Sequence, residues 1–323
     1  MVPHNFNASA FKTSGQNHQI LFSERKTPRV TTMSEIHPTS AKRGILFILG
    51  AMLIFSLLNA IIKDTTAKYD PIQLVFFRCF FAAFPAGLFL ALRGGWVMPP
   101  KQEWKLHAAR AFLLAIGLSV LFLGIGMLPL SNSMALYFSS TLFLVILSYP
   151  ILREKVSAVQ WGAVALGFVG VLIIAKPGGD VFHWGTLFVI LGALMESAYN
   201  LFGRLLSSTN NSFMLTFLGS LLPACVLLFV VPFVWITPDF GGWIALISLG
   251  LGGGLGQLCV TFAYRNASAG ILAPMIYSAM VWSVMLDIML YSNWPTESLL
   301  FGCAVIILSG LMIVMIEKRR KLA

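Results

Sequence analysis

Few side chains in this sequence could do chemistry, and the ones that could sit where charge is costly. Glu196 lies in an apolar stretch twelve residues past Trp184, ~18 Å along a helix that rises ~1.5 Å per residue. That depth is near the middle of a bilayer, where an ionisable group costs ~2.5–3.5 kcal/mol or more. A carboxyl group there could accept a proton or bind a substrate amine. The plainer reading is a neutral Glu bonded to a neighbouring helix. Arg78 stands seven residues into another apolar stretch that opens at Pro71. Its guanidinium could hold a carboxylate or phosphate bidentately, or pair with Glu196; it could equally bond to backbone carbonyls at a helix break. Ser56 and Asn59, and likewise Ser197 and Asn200, are three residues apart, so each pair shares a helical face. Such pairs either line a cavity or join helices by hydrogen bonds. Tyr137, Tyr199, Tyr277 and Trp282 offer aromatic walls for a planar or cationic ligand, and aromatic packing would use the same residues.

The remaining candidates point away from catalysis. Asp287 falls close to the end of its apolar run, where a carboxylate could reach interfacial water. Glu154, between Arg153 and Lys155, reads as structural. The run GLGGGLG at 250–256 mimics a dinucleotide loop but lies inside an apolar run with no strand before it, so close helix approach explains it better. The five histidines lie in the first forty residues or at run ends (His107, His183), without an HExxH pattern. Cys79, Cys225, Cys259 and Cys303 all sit in apolar runs and read as small packing residues. No metal site, cofactor or catalytic nucleophile is expected.

The elements that must position these residues are membrane helices. The chain of 323 residues is 58% hydrophobic and 11% charged, against roughly 45–50% and 25% in soluble domains. A net charge of +10 could suggest nucleic acid, but the basic residues fall between apolar blocks, the mark of membrane topology. Spanning helices need ~20 mostly apolar residues. Ten such runs are expected, at about 44–63, 71–93, 106–127, 130–151, 157–175, 184–204, 213–236, 242–263, 269–291 and 298–316. Of the 22 Lys and Arg, Lys63, Lys68 and Lys176 fall on one side and Arg78 within a run; all the others fall on the opposite side. That asymmetry places both termini in the cytoplasm. The polar stretch 1–42 reads as a disordered cytoplasmic tail, with Met33 as a candidate start, and 319–323 as a basic cytoplasmic end.

The two halves repeat. FSLLNAIIK (55–63) matches ESAYNLFGR (196–204), pairing Ser56 with Ser197, Asn59 with Asn200 and Lys63 with Arg204. WGAVALGFVG (161–170) matches FGCAVIILSG (301–310), and Pro85 and Pro223 occupy similar places. Five helices per half is an odd number, so the second half enters the membrane in the opposite sense. The expected fold is therefore all-α, ten transmembrane helices as two inverted five-helix repeats, 43–176 and 177–318. That architecture suits alternating access around a midplane site.

The sequence also resembles the EamA-type branch of the drug/metabolite transporter superfamily. The likeness rests on FFRCFFAAFPAG (76–87), LPLSNSMALYFSSTLF (128–143), LREKVSAVQWGAVALGFVGVLI (152–173), APMIYSAMVW (273–282) and NWPTESLLFGCAVIILSG (293–310). Thr141 departs from the proline frequent there, and Trp294 from the acidic residue seen at Glu154 in the first half. The resemblance implies an arginine at the place of Arg78 and a cavity wall near Tyr277. It also implies a secondary transporter of a small polar metabolite such as an amino acid or its derivative, or a nucleoside-like or vitamin-like compound. The expected partners are that substrate, protons as a coupling candidate, and membrane lipid in a bacterial cytoplasmic membrane; nucleic acid is not among them. A channel or non-transporting sensor is the alternative, and a membrane enzyme a more distant one.

Overall fold

The computed structural model describes residues 38–93, 96–152, 156–175, 184–207, 209–267 and 269–322. The stretch 1–37, most of the expected tail, lies outside them, as does Glu154. In chain order the helices are α1 (Pro38–Thr65), α2 (Pro71–Arg93), α3 (Trp104–Met127), α4 (Leu130–Tyr137), α5 (Ser139–Leu152) and α6 (Ala158–Ala175). The second half follows with α7 (Trp184–Leu206), α8 (Ser212–Leu228), α9 (Phe240–Asn266), α10 (Ala269–Ile276), α11 (Ser278–Tyr291) and α12 (Glu297–Leu322). Helix α1 takes up residues 38–42 that composition assigns to the tail.

Polar residues punctuate these helices where the chain can meet water. Ser157 and Gln160 cap α6 reciprocally: Gln160 N donates to Ser157 Oγ (3.2 Å) and Ser157 N to Gln160 Oε1 (2.8 Å), satisfying two donors that a helix start leaves open. Asn211 caps α8 by accepting from Phe213 N at 3.0 Å, and Asp239 caps α9 by accepting from Gly242 N at 2.6 Å.

Nine helical stretches among the described residues are long and apolar enough to cross a membrane, and α8 is a shorter apolar helix. The expected run 213–236 is thus corrected: α8 stops at Leu228, and a single 3₁₀ turn, Val231–Phe233, follows. Pro232 supplies the reason, since it lacks the N–H that a continuing helix would need. Two further differences matter for function. The fourth and ninth expected spans are each interrupted, at Phe138 between α4 and α5 and at Tyr277 between α10 and α11.

Packing repeats with the halves exchanged. Helix α3 lies on α7 and α1 on α9, which are the same contact in the two halves; α2 on α8 and α6 on α12 each map onto themselves. Small residues let these helices approach. A methyl group at Gly170 would meet the Gly302 carbonyl oxygen at 2.9 Å, and one at Gly302 would meet that of Gly170 at 2.9 Å. The glycine run of α9 works the same way: a methyl at Gly254 would come within 2.7 Å of the Ala82 carbonyl oxygen on α2.

The α1–α2 turn is tied to the segment before α9. Gln73, fully buried, donates to Ile236 O (2.8 Å) and accepts from Ile236 N (2.9 Å), while the Tyr69 hydroxyl donates to Asp239 Oδ1 at 3.1 Å. The Gly242 N–H, and then Tyr69, hold the Asp239 carboxyl below the usual carboxylate range. A depressed pKa contributes stability that is present above the unfolded value, near ~4, and lost as pH falls through the folded one. The melting temperatures of wild type and Asp239→Asn should therefore differ at pH 7. They should stay apart to about pH 4 and converge only below it.

Candidate functional site

The two interrupted helices meet at their breaks. Phe138 and Tyr277 face each other with ring centroids 5.0 Å apart. At each break the backbone stays in the right-handed helical region, and one tightened turn re-aims the chain: Thr141 N donates to Phe138 O at 3.1 Å, and Met280 N to Tyr277 O at 3.0 Å. Serine pairs from the repeat fasten both breaks. Ser56 Oγ on α1 donates to Ala279 O (3.2 Å) on α11, and Ser197 Oγ on α7 reaches Ser140 O (2.7 Å) on α5 and Ala193 O (2.6 Å). Both serines are buried links between helices.

Beside the first break is a cluster of charge and aromatic rings. Glu196 projects from the middle of α7, and the Tyr137 hydroxyl at the end of α4 stands next to its carboxyl group. Arg78 on α2 is close enough to act electrostatically on both; its guanidinium lies over the Phe122 ring of α3 at 5.8 Å, and its buried Nε has no hydrogen-bond partner. Tyr199, one turn along α7, feels Arg110, Glu196 and Arg78 together. Four helices, α2, α3, α4 and α7, thus bring Arg78, Arg110, Tyr137, Glu196 and Tyr199 together.

Other predicted residues lie elsewhere. Asn59 is half-buried, with Nδ2 3.5 Å from Met134 Sδ, and links α1 to α4. Asn200 is exposed on α7. The Tyr277 hydroxyl rests on Gly310 of α12, a contact that only a residue without a side chain permits. Trp282 has a buried indole N–H without a partner, and so do the hydroxyls of Ser133, Ser139, Ser278 and Ser283. All five sit on the interrupted helices. Unpaired buried polar groups are uncommon in native structures and call for an explanation; their grouping around the breaks makes this the polar heart of an otherwise apolar bundle.

Asp287 is a correction. It is 1% exposed and does not reach water. Its carboxylate accepts Leu130 N (3.0 Å), Ser131 N (2.7 Å) and Ser131 Oγ (2.5 Å), so an acid from α11 caps the N-terminus of α4, where negative charge is favoured. Nearby, Lys63 Nζ donates to Leu128 O at 3.0 Å and lies over the Tyr291 ring at 4.5 Å, and the Tyr291 hydroxyl donates to Asp64 at 2.7 Å. Counting residues along a run gives depth, and it carries no sign of which helix end lies opposite.

Arg110 is the residue that sequence reasoning passed over, having been counted among basic residues at the inner ends. It is 8% exposed. Its guanidinium stacks on Tyr199 at 4.0 Å, donates to Leu215 O at 3.3 Å, and lies against Gly203 and Gly219. Its place six residues into α3 was the available signal.

Matching interrupted helices in two like halves, with charge turned inward beside one break, define a class of membrane transporter built by duplication. The EamA-like transporter family matches residues 42–176 and 183–315, and the chain belongs to that family. Among its relatives is the S-adenosylmethionine uptake transporter of Rickettsia conorii, 25% identical over 82% of this chain and 92% of that one. The riboflavin transporter of Rhizobium johnstonii is 28% identical over 90% of this chain and 97% of its own. That of Vibrio cholerae is also 28% identical, over 86% and 95%. A solved crystal structure shares the fold with a TM-score of 0.61 at 18% identity, covering 86% of this chain and 98% of the other.

Proposed function

We propose that this chain is a secondary active transporter that moves a small polar metabolite across a bacterial cytoplasmic membrane by alternating access, with both termini in the cytoplasm. The two repeats, 43–176 and 177–318, are the inverted halves that rock about the site, and lipid covers their outer apolar faces. The observation that carries this reading is the cluster of Glu196, Tyr137 and Arg78 beside the Phe138 break. Acid and base held in a bilayer interior are costly unless used, and interrupted helices are where transporters of this architecture hold their cargo. Glu196 with Arg78 suits a cargo carrying both an amine and an acid group, and Glu196 is the candidate proton carrier. The relatives named for S-adenosylmethionine and riboflavin support a metabolite with a flat heterocycle, against which Tyr137 and Tyr199 would stack.

Counterflow in proteoliposomes tests it. Vesicles preloaded with unlabelled S-adenosylmethionine, riboflavin or an amino-acid pool should accumulate the matching labelled compound above its outside concentration, and the rate should saturate. Conduction without exchange would mean a channel, and binding without flux a sensor.

A further inference from the structure

Among the described residues in the central cluster, positive charge outnumbers negative. Arg78 and Arg110 both act on Tyr199, and the acid that joins them there is Glu196. Glu103, the acid nearest the start of α3, accepts from Asn210 at 2.6 Å instead, and Asp287 serves the N-terminus of α4 at the opposite end. The bonds that hold Arg110 are to a neutral carbonyl and a ring. Its Nε is buried without a partner, as is that of Arg78. Tyr199 is also confined, because a methyl group at Gly219 would stand 2.5 Å from its hydroxyl. The stack of Arg110 on Tyr199 is therefore built into a tight seat between α3, α7 and α8.

A guanidinium kept from water needs an anion, and its planar fork matches a carboxylate or a phosphate. We infer that Arg110, stacked on Tyr199 and supported by Arg78, forms an anion subsite, and that the cargo presents a carboxylate or phosphate to it from a flat ring system. This rests on the transporter reading and adds the sign of the cargo's charge at this end of the site. Glu196, one turn before Tyr199 on α7, takes the cationic or hydrogen-bond-donating part.

Two matched pairs of probes test it by equilibrium binding to the purified full-length protein. Nicotinate against nicotinamide isolates a carboxylate, and riboflavin 5′-phosphate against riboflavin isolates a phosphate. In at least one pair the anion should bind about tenfold more tightly than its neutral partner, the order expected of a charge-assisted hydrogen bond. The pair that shows it identifies the group recognised. Arg110→Gln should erase the preference, and Arg110→Lys should keep part of it, which holds the test open if the glutamine variant fails to fold. No anion preference in either pair, no binding of either anion, or a preference unchanged in Arg110→Gln would overturn the inference. A lowered melting temperature with an intact preference would mark Arg110 as a structural tie between α3 and α8, and would likewise overturn it. Counterflow of a neutral metabolite would sink the anion subsite while leaving the transporter reading in place.

Discussion

Glu196→Gln should lower counterflow by about tenfold to a hundredfold while the protein still folds. The substitution keeps the shape of the side chain and its capacity to meet the Tyr137 hydroxyl. What it removes is the ionisable carboxyl group beside Arg78 and Tyr137. Losing one hydrogen bond to a charged group costs ~1.5–3 kcal/mol, which converts to that range of rate or affinity. If Glu196 also carries the coupled proton, the variant should lose accumulation driven by a pH gradient more completely than it loses exchange. Counterflow measured with and without an imposed gradient separates the two. Normal transport in both assays would remove Glu196 from the site.

Asp287→Ala should produce the largest loss of stability, about 3 kcal/mol. The acid accepts three donors at the start of α4, two of them backbone N–H groups with no alternative partner in the turn. Removing one side of a buried charged network leaves the other side unsatisfied. Asp287→Asn should cost less, because an amide oxygen can still accept one of the bonds. Ser131→Ala in the Asp287→Ala background should add less than it costs alone, since the two residues share one network. Reversible denaturation in mixed micelles would measure the four variants against wild type. An Asp287→Ala protein as stable as wild type would show that the carboxylate is not holding α4.

How much of this was legible in the sequence depends on the range over which each feature is encoded. The spans were legible because ~20 apolar residues in a row have few other homes. The serine offset between Ser56 and Ser197 pointed to the repeat, and both serines indeed bond to matching carbonyls, Ala279 and Ser140. The end of α8 was misplaced because hydrophobicity continues through Pro232, while the helix cannot. Pro274 drew attention to the region of Tyr277, but no local signal marked Phe138, whose neighbours Tyr137 and Ser139 form helices on either side. Beside that break α4 packs on α11, a contact that no local run of sequence encodes. Arg110 and Asp287 were misjudged for one reason: burial of a charge depends on what arrives from another helix. Gly203 and Gly219 make room for the first, and the start of α4 receives the second. Glu196 and Arg78 stand out in the sequence because their depth within a single run already makes them costly.

Duplication should yield two matching helix starts of equal standing, and here they are unequal. At the spacing that pairs Phe138 with Tyr277, the position matching Asp287 in the first half is Ser148, so a carboxylate caps the start of α4 and no acid stands at the matching place in the other half. If the halves rock as proposed, the Asp287 cap would be made in one of the two end states. An advantage of about 3 kcal/mol would tilt their populations by roughly a hundredfold. On that proposal the empty protein would rest with the Asp287 cap made, and cargo or proton binding would have to supply the work of undoing it.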